Sequence, residues 1–277
     1  MVLEWDGYGK AKRYSISHRK YWGDLLNEWN LDSPSATDEC KVTRWNRKFR
    51  IVEENFSGSS KFRTRSQYNV YTDGSKIGNM TGSGVAIYRG PFLAEVLTYR
   101  LPGESTVFFA ELEAIKQCAL HLTQNKDKYN DLRFVKIFVD SQAALLALKS
   151  THITSLQVLS TIDALDGLGE WALSVSLVWI KAHAGKEGNE LADKLAKDGT
   201  ALPNTKILTL PTPMVFIKQQ VKEKATIRWE TNWSDYGEAR QTKQFFPKLK
   251  PRCSRELMKL GRQHLGRITG LICSTTT

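Results

Sequence analysis

Two β-branched and aromatic runs in this chain end in the same way, and that shared ending constrains the fold more than any other feature. Tyr68-Asn-Val-Tyr-Thr72 leads into Asp73-Gly74-Ser75, and Phe134-Val-Lys-Ile-Phe-Val139 leads into Asp140. Val, Ile, Tyr, Phe and Thr suit an extended, buried strand, whereas Asp-Gly-Ser is turn chemistry. Each run therefore delivers a carboxylate at its C-terminal end. If the two strands are sheet neighbours, the two acids meet.

The elements around them form a regular pattern. Val85–Tyr88 and Ala94–Tyr99 read as further strands, joined to the first through Gly74, Gly78, Gly82, Gly84 and a Gly90-Pro91 turn. Tight connections make these three strands antiparallel. The glycines read as turn residues, since no Gly-Lys-Ser/Thr follows to make a phosphate loop. Phe108, Leu112, Ile115, Ala119 and Leu122 then recur at helical spacing, which predicts a helix entered near Ser105-Thr106 with Glu111 in its first turns. After the strand Phe134–Val139 come a helix through Ala143–Leu148, a helix near Thr154–Leu165, a strand Val175–Ile180 and a helix through Leu191–Ala196 that carries Asp193. The order β-β-β-α-β-α-α-β-α predicts an α/β layer with a mixed sheet of five strands flanked by helices.

Charge divides the chain in three. Residues 1–66 carry 13 Lys and Arg against 9 Asp and Glu, residues 67–200 carry 13 against 15, and residues 201–277 carry 14 against 5. The net charge of +11 thus lies in the flanks. This predicts a central domain over 67–200, a basic N-terminal extension over 1–66 and a basic helical C-terminal extension over 201–277. Basic flanks suit a polyanionic partner, and the acidic centre suits metal binding. Four cysteines, Cys40, Cys118, Cys253 and Cys273, show no CxxC pairing, so neither a disulfide framework nor a zinc site is expected. With no membrane-length apolar run and no signal peptide, a soluble intracellular protein is expected.

In the flanks, Trp22, Leu25, Leu26 and Trp29 predict a short helix near Tyr21–Trp29. Thr212 and Pro213 open a helix whose packing stripe would be Met214, Ile217, Val221, Ala225, Trp229 and Trp233. A second basic helix is expected from about Ser254.

Carboxylates brought within a few ångströms repel unless a cation offsets them. Oxygen ligands without Cys or paired His select Mg²⁺ or Mn²⁺ over zinc. Two such ions about 4 Å apart suit phosphodiester hydrolysis.

Tyr71-Thr-Asp-Gly-Ser75, Ala110-Glu-Leu-Glu-Ala-Ile115, Phe138-Val-Asp-Ser-Gln142, and Val178-Trp-Ile-Lys-Ala-His-Ala-Gly185 with Asn189-Glu-Leu-Ala-Asp193 together resemble the ribonuclease H family over residues 67–200. The resemblance implies a ribonuclease H-like fold and endonucleolytic cleavage of the RNA strand of RNA/DNA hybrids. It implies that Asp73, Glu111, Asp140 and Asp193 hold two Mg²⁺ ions, with Mn²⁺ as a substitute, and that His183 assists proton transfer or product release. It further implies nucleic-acid contacts from Gly74, Ser75, Thr106 and Gln142. Val107 and Phe108 stand where cellular enzymes of the family carry two asparagines, and residues 150–174 contain Asp163, Asp166 and Glu170 but no Lys or Arg. The basic handle of some cellular enzymes is thus missing, and the flanks are expected to supply the grip.

These departures resemble the ribonuclease H region of a non-LTR retrotransposon polyprotein, which would place a reverse transcriptase module in a longer product. A second reading is a catalytically silent, retroelement-derived remnant that binds nucleic acid. A transposase or integrase core would order its acids Asp, Asp, Glu, whereas Glu111 here lies between Asp73 and Asp140.

Overall fold

The computed structural model describes residues 3–5, 11–13, 37–52, 67–182, 185–203, 207–235, 243–244, 248, 256 and 259–273. The expected helix near Tyr21–Trp29 and the start of the helix near Ser254 lie outside the described residues. The chain divides into two compact units, one of Pro34–Phe216 and one of Met1–Ser33 with Ile217–Thr277.

In the first residues, β1 (Leu3–Trp5) and β2 (Ala11–Arg13) pair antiparallel. Pro34–Phe216 contains β3 (Val42–Thr43), β4 (Arg50–Val52), β5 (Gln67–Ile77), β6 (Met80–Arg89), β7 (Phe92–Leu101), α1 (Val107–Gln124), β8 (Phe134–Val139), α2 (Gln142–Lys149), β9 (His152–Ile153), α3 (Leu156–Trp171), β10 (Ser174–Trp179) and α4 (Glu187–Thr200). α5 (Met214–Asp235) and α6 (Arg262–Cys273) follow.

The main sheet runs β4-β10-β8-β5-β6-β7. β4, β10, β8 and β5 are mutually parallel, and β6 and β7 continue antiparallel. All five expected strands are present. A sixth, β4, joins the edge from the N-terminal flank, pairing Arg50 to Val52 with Ser176 to Val178 of β10. The same flank pairs β3 with β9 and bridges Thr37 to Thr212. The sheet-bearing unit therefore extends beyond residues 67–200 at both ends.

The glycines correct the sequence reading. Gly78, with φ of 59°, is a turn glycine between β5 and β6. Gly74, Gly82 and Gly84 lie inside strands. A Cβ on Gly74 would meet the backbone of α1 at Glu111 N, and one on Gly82 or Gly84 would meet the backbone of α4. These three mark close approach of helix to sheet rather than reversal. Their register also places the helices. Gly84 lies opposite Asp73 and Gly82 opposite Ser75, so α4 covers that face, while Gly74, one residue out of phase, faces α1.

Both layers are closed by apolar packing. Leu112, Ile115, Cys118, Ala119 and Leu122 of α1, Leu145 and Leu148 of α2, and Ile162, Leu165 and Leu168 of α3 bury against Val70, Ile137 and Leu177 of the sheet. Thr106, Ser141 and Ser155 cap α1, α2 and α3 by accepting from Phe109 N, Ala144 N and Val158 N. Cys40 and Cys118 are free thiols. Among the described residues no helix is long and apolar enough to cross a membrane.

The expected packing stripe of α5 is not buried: Ile217 alone of its residues is. Trp229 and Trp233 instead stack on each other, with centroids 5.5 Å apart. At 100° per residue Lys218 and Lys222 fall on the same side as the two tryptophans, so the helix has no wholly apolar face.

Candidate active site

Parallel pairing of β5 with β8 ends at Thr72 opposite Val139. The next residue of each strand is the acid. Asp73 and Asp140 thus emerge side by side from the middle of the sheet. α1 passes so close to Gly74 that Glu111 arrives at the same point. One carboxylate oxygen from each of Asp73, Glu111 and Asp140 lies within 4.8 Å of the others.

The electrostatics of this cluster are unfavourable as it stands. Asp73 is 9% exposed and Glu111 6%. Burial, then the Asp140 charge, pushes the Asp73 carboxyl well above its ordinary range; the N–H of Gly74 donates to Asp73 Oδ1 at 2.7 Å and offsets part of this. Burial, then the Asp73 and Asp140 charges, pushes Glu111 up as well. Glu111 Oε2 is buried without a hydrogen-bond partner.

Glu113, on the same helix and 1% exposed, provides the contrast. Its carboxylate is matched by Lys116 Nζ at 2.7 Å, Gln117 Nε2 at 2.7 Å and the Gln157 amide. Glu113 is a satisfied structural acid joining α1 to α3. Glu111 is the unsatisfied one, and a hard divalent cation is the kind of group its free oxygen and the two neighbouring aspartates fit.

Asp193 stands beside this group rather than in it. It comes from α4, near enough to hydrogen-bond Asp73, but its Oδ2 accepts from Lys197 Nζ at 2.7 Å, one helical turn on. Three of the four expected acids therefore converge on one point, and the fourth is held at the margin by a lysine. His183 lies outside the described residues. Among the expected nucleic-acid contacts, Gln142 is exposed at the first residue of α2, two positions after Asp140, and Ser75 is half-buried on β5. Thr106 caps α1, and Gly74 is fully engaged in packing and in its bond to Asp73.

Two supporting residues were missed. Asn189, buried in the first turn of α4, donates to Asp140 Oδ2 at 3.4 Å, and Trp179 Nε1 donates to the Asp140 carbonyl at 3.2 Å. Lys197 was legible as the i,i+4 partner of Asp193; Trp179 and Asn189 lie in the motif runs quoted above, but the pattern gave neither of them a role toward Asp140.

The chain is similar to several known proteins. Residues 65–201 match the family model for RNase H. Ribonuclease H of Saccharomyces cerevisiae is 29% identical over 230 residues, covering 70% of this chain and 62% of that protein. The chain thus spans less than two thirds of that relative's length. Among solved structures, the N-terminal RNase H domain of a Mycobacterium tuberculosis protein is 15% identical, covering 49% of this chain and 94% of that one, with a TM-score of 0.40. RNase H1 of Halobacterium salinarum is 18% identical over 48% of this chain and 96% of its own, with a TM-score of 0.38. LC11-RNase H1, solved in complex with an RNA/DNA hybrid, is 21% identical over 48% and 96%, with a TM-score of 0.40.

Proposed function

We propose that this chain, residues 65–201 of which match the family model for RNase H, is a divalent-metal-dependent endoribonuclease that hydrolyses the RNA strand of RNA/DNA hybrids. The observation that carries the reading is the group of three carboxylate oxygens within 4.8 Å at the end of two parallel strands, one residue of which keeps a buried, unpartnered oxygen.

In this proposal Asp73, Glu111 and Asp140 hold Mg²⁺, and Asp193 completes the ligand set for a second ion, with Mn²⁺ an acceptable substitute. When bound, such ions activate water and stabilise the leaving oxygen of a phosphodiester. The protein's own part is placement. The parallel register fixes Asp73 against Asp140, the N–H of Gly74 orients the Asp73 carboxylate, and Asn189 and Trp179 hold Asp140. Gln142 and Ser75, each two residues from an acid in sequence, and Thr106, which caps the helix of Glu111, are assigned to the minor groove and backbone of the hybrid, with Gly74 beside them. His183, ten residues before Asp193, is assigned to proton transfer or product release.

The finer reading is that the domain derives from a non-LTR retrotransposon polyprotein in which it follows a reverse transcriptase module. Val107 and Phe108 at the start of α1, and basic flanks on both sides, support it.

The test is incubation of the full chain with labelled RNA/DNA hybrid, duplex RNA and duplex DNA in Mg²⁺, beside Asp73→Asn. Cleavage confined to the RNA strand of the hybrid, and lost in the variant, is expected. Binding without cleavage by the parent would return the silent remnant, and cleavage of duplex DNA would overturn the assignment.

A further inference from the structure

α3 presents Asp163, Asp166 and Glu170, and residues 150–174 contribute no Lys or Arg to set against them. Left alone, this face would repel a nucleic acid passing the end of α2. It is not left alone. Residues 37–52, which lie outside the family match, run along it as a strap. Asp38 Oδ1 accepts from Gln157 N at the start of α3, β3 pairs with β9, and β4 closes the sheet edge.

The strap also neutralises the helix. Arg44 pairs with Asp163 and, at 3.0 Å, with Asp166, while Lys48 pairs with Glu170 at 2.9 Å. The Lys48 N–H donates to Asp166 Oδ1 at 2.7 Å. All three carboxylates are thereby matched. What remains is cationic. Arg47 is held by carbonyls, donating to Arg44 O and to Ser150 O at 3.0 Å each, and Lys149 is exposed with no ion pair among the described residues.

Between Arg44 and Arg47 stands Trp45, 74% exposed. The backbone beneath it is pinned, because Arg44 N donates to Thr151 O at 2.9 Å and the Arg47 side chain anchors to Ser150. Fixed, exposed aromatic rings beside unmatched cations are the chemistry of a nucleic-acid stacking platform. Lys149 lies seven residues after Gln142 along α2, which is about 10.5 Å at 1.5 Å per residue. That is well under one turn of duplex, roughly 34 Å. A hybrid engaged at Asp140 is long enough to reach the strap.

We propose that residues 44–47, with Lys149, form a nucleic-acid docking surface: Trp45 stacks on a sugar or base of the hybrid, Lys149 meets a phosphate, and Arg47, fixed by carbonyls, adds positive charge beside them. The strap thus turns a repelling acidic helix into a face that accepts the polyanion. This rests on the hybrid-nuclease reading above, and the test separates the two.

The experiment measures binding of a hybrid about two helical turns long to full-length Asp73→Asn in Mg²⁺, with and without a second substitution, together with quenching of tryptophan fluorescence. Trp45→Ala is expected to weaken binding about tenfold and Trp45→Phe to restore most of it. Lys149→Gln is expected to flatten the salt dependence by about one counterion. Thermal midpoints equal to that of Asp73→Asn show that the fold is kept. Equal affinity and quenching in the Trp45→Ala chain overturn the docking surface while leaving the nuclease reading in place. Failure of the Asp73→Asn chain and its parent to bind hybrid at all overturns both.

Discussion

Asp73 and Asp140 stand one residue beyond the last pair of the parallel β5–β8 ladder, Thr72 opposite Val139, so two carboxylates meet where that pairing ends. Glu111 adds a third. Such a site is built for a cation and costs stability without one.

Replacing one member should therefore separate function from stability. Asp73→Asn keeps an oxygen to accept from Gly74 N but removes a buried charge. The metal-free variant is expected to melt above the metal-free parent, by on the order of 1 kcal/mol or ~3 °C. Its hybrid cleavage should fall by on the order of a hundredfold or more. Calorimetric melting in chelator, beside a cleavage assay, reads both. A lower melting point for the variant would mean that the cluster is not repulsive.

The pH dependence of stability has a definite sign. Asp73 and Glu111 titrate above their ordinary values in the folded chain, driven first by burial and then by neighbouring carboxylates. Groups of this kind contribute stability that is fully present below the unfolded values and is lost as pH rises through the folded ones. The metal-free melting point should fall between about pH 4 and the raised folded values. Saturating Mg²⁺ should abolish most of that slope. The same slope with and without Mg²⁺ would count against cation binding here.

At the other end of the sheet the sign reverses. Glu95 on β7 is opposed by burial, but bonds from Lys128, Tyr129 and His121 outweigh it and bring the carboxyl down to about 2. Stability from this group is present above its ordinary value and is lost as pH falls toward the folded one. Glu95→Gln should cost about 1–3 kcal/mol, because the buried Tyr129 hydroxyl loses a charged acceptor. A denaturant midpoint at neutral pH checks the cost, which should shrink in acid.

Lys197 should tune cation binding. Its ammonium lies 2.7 Å from Asp193 Oδ2, where it competes for the one acid that stands outside the close group. Lys197→Met should tighten Mn²⁺ binding only about twofold, because an exposed helix pair is weak. Titration calorimetry reads this without turnover. Weaker binding would show that Lys197 supports the site instead.

The site was legible in sequence because its geometry is carried by short, strongly patterned runs. Two β-rich segments ending in Asp, and a helix whose apolar period places Glu111 early, define it almost locally. The strap was not legible. Arg50-Ile-Val52 is too short to show alternation, and its partner β10 lies over a hundred residues away. The strand glycines misled for a related reason: close helix approach at Gly82 and Gly84 is a tertiary demand that leaves no local mark to separate it from a turn. The pairing of Asp193 with Lys197 could be read from their i,i+4 spacing, but a motif match does not encode that Asp193 would stand beside the other three acids rather than among them.

The central claim is that Asp73, Glu111 and Asp140 are a divalent cation site, and direct titration of the full chain with Mn²⁺, followed by electron paramagnetic resonance, tests it without substrate. The parent should bind Mn²⁺, with Mg²⁺ displacing it, and Glu111→Gln should lose most of that affinity. Binding by Glu111→Gln that matches the parent, or none by the parent, would contradict the account.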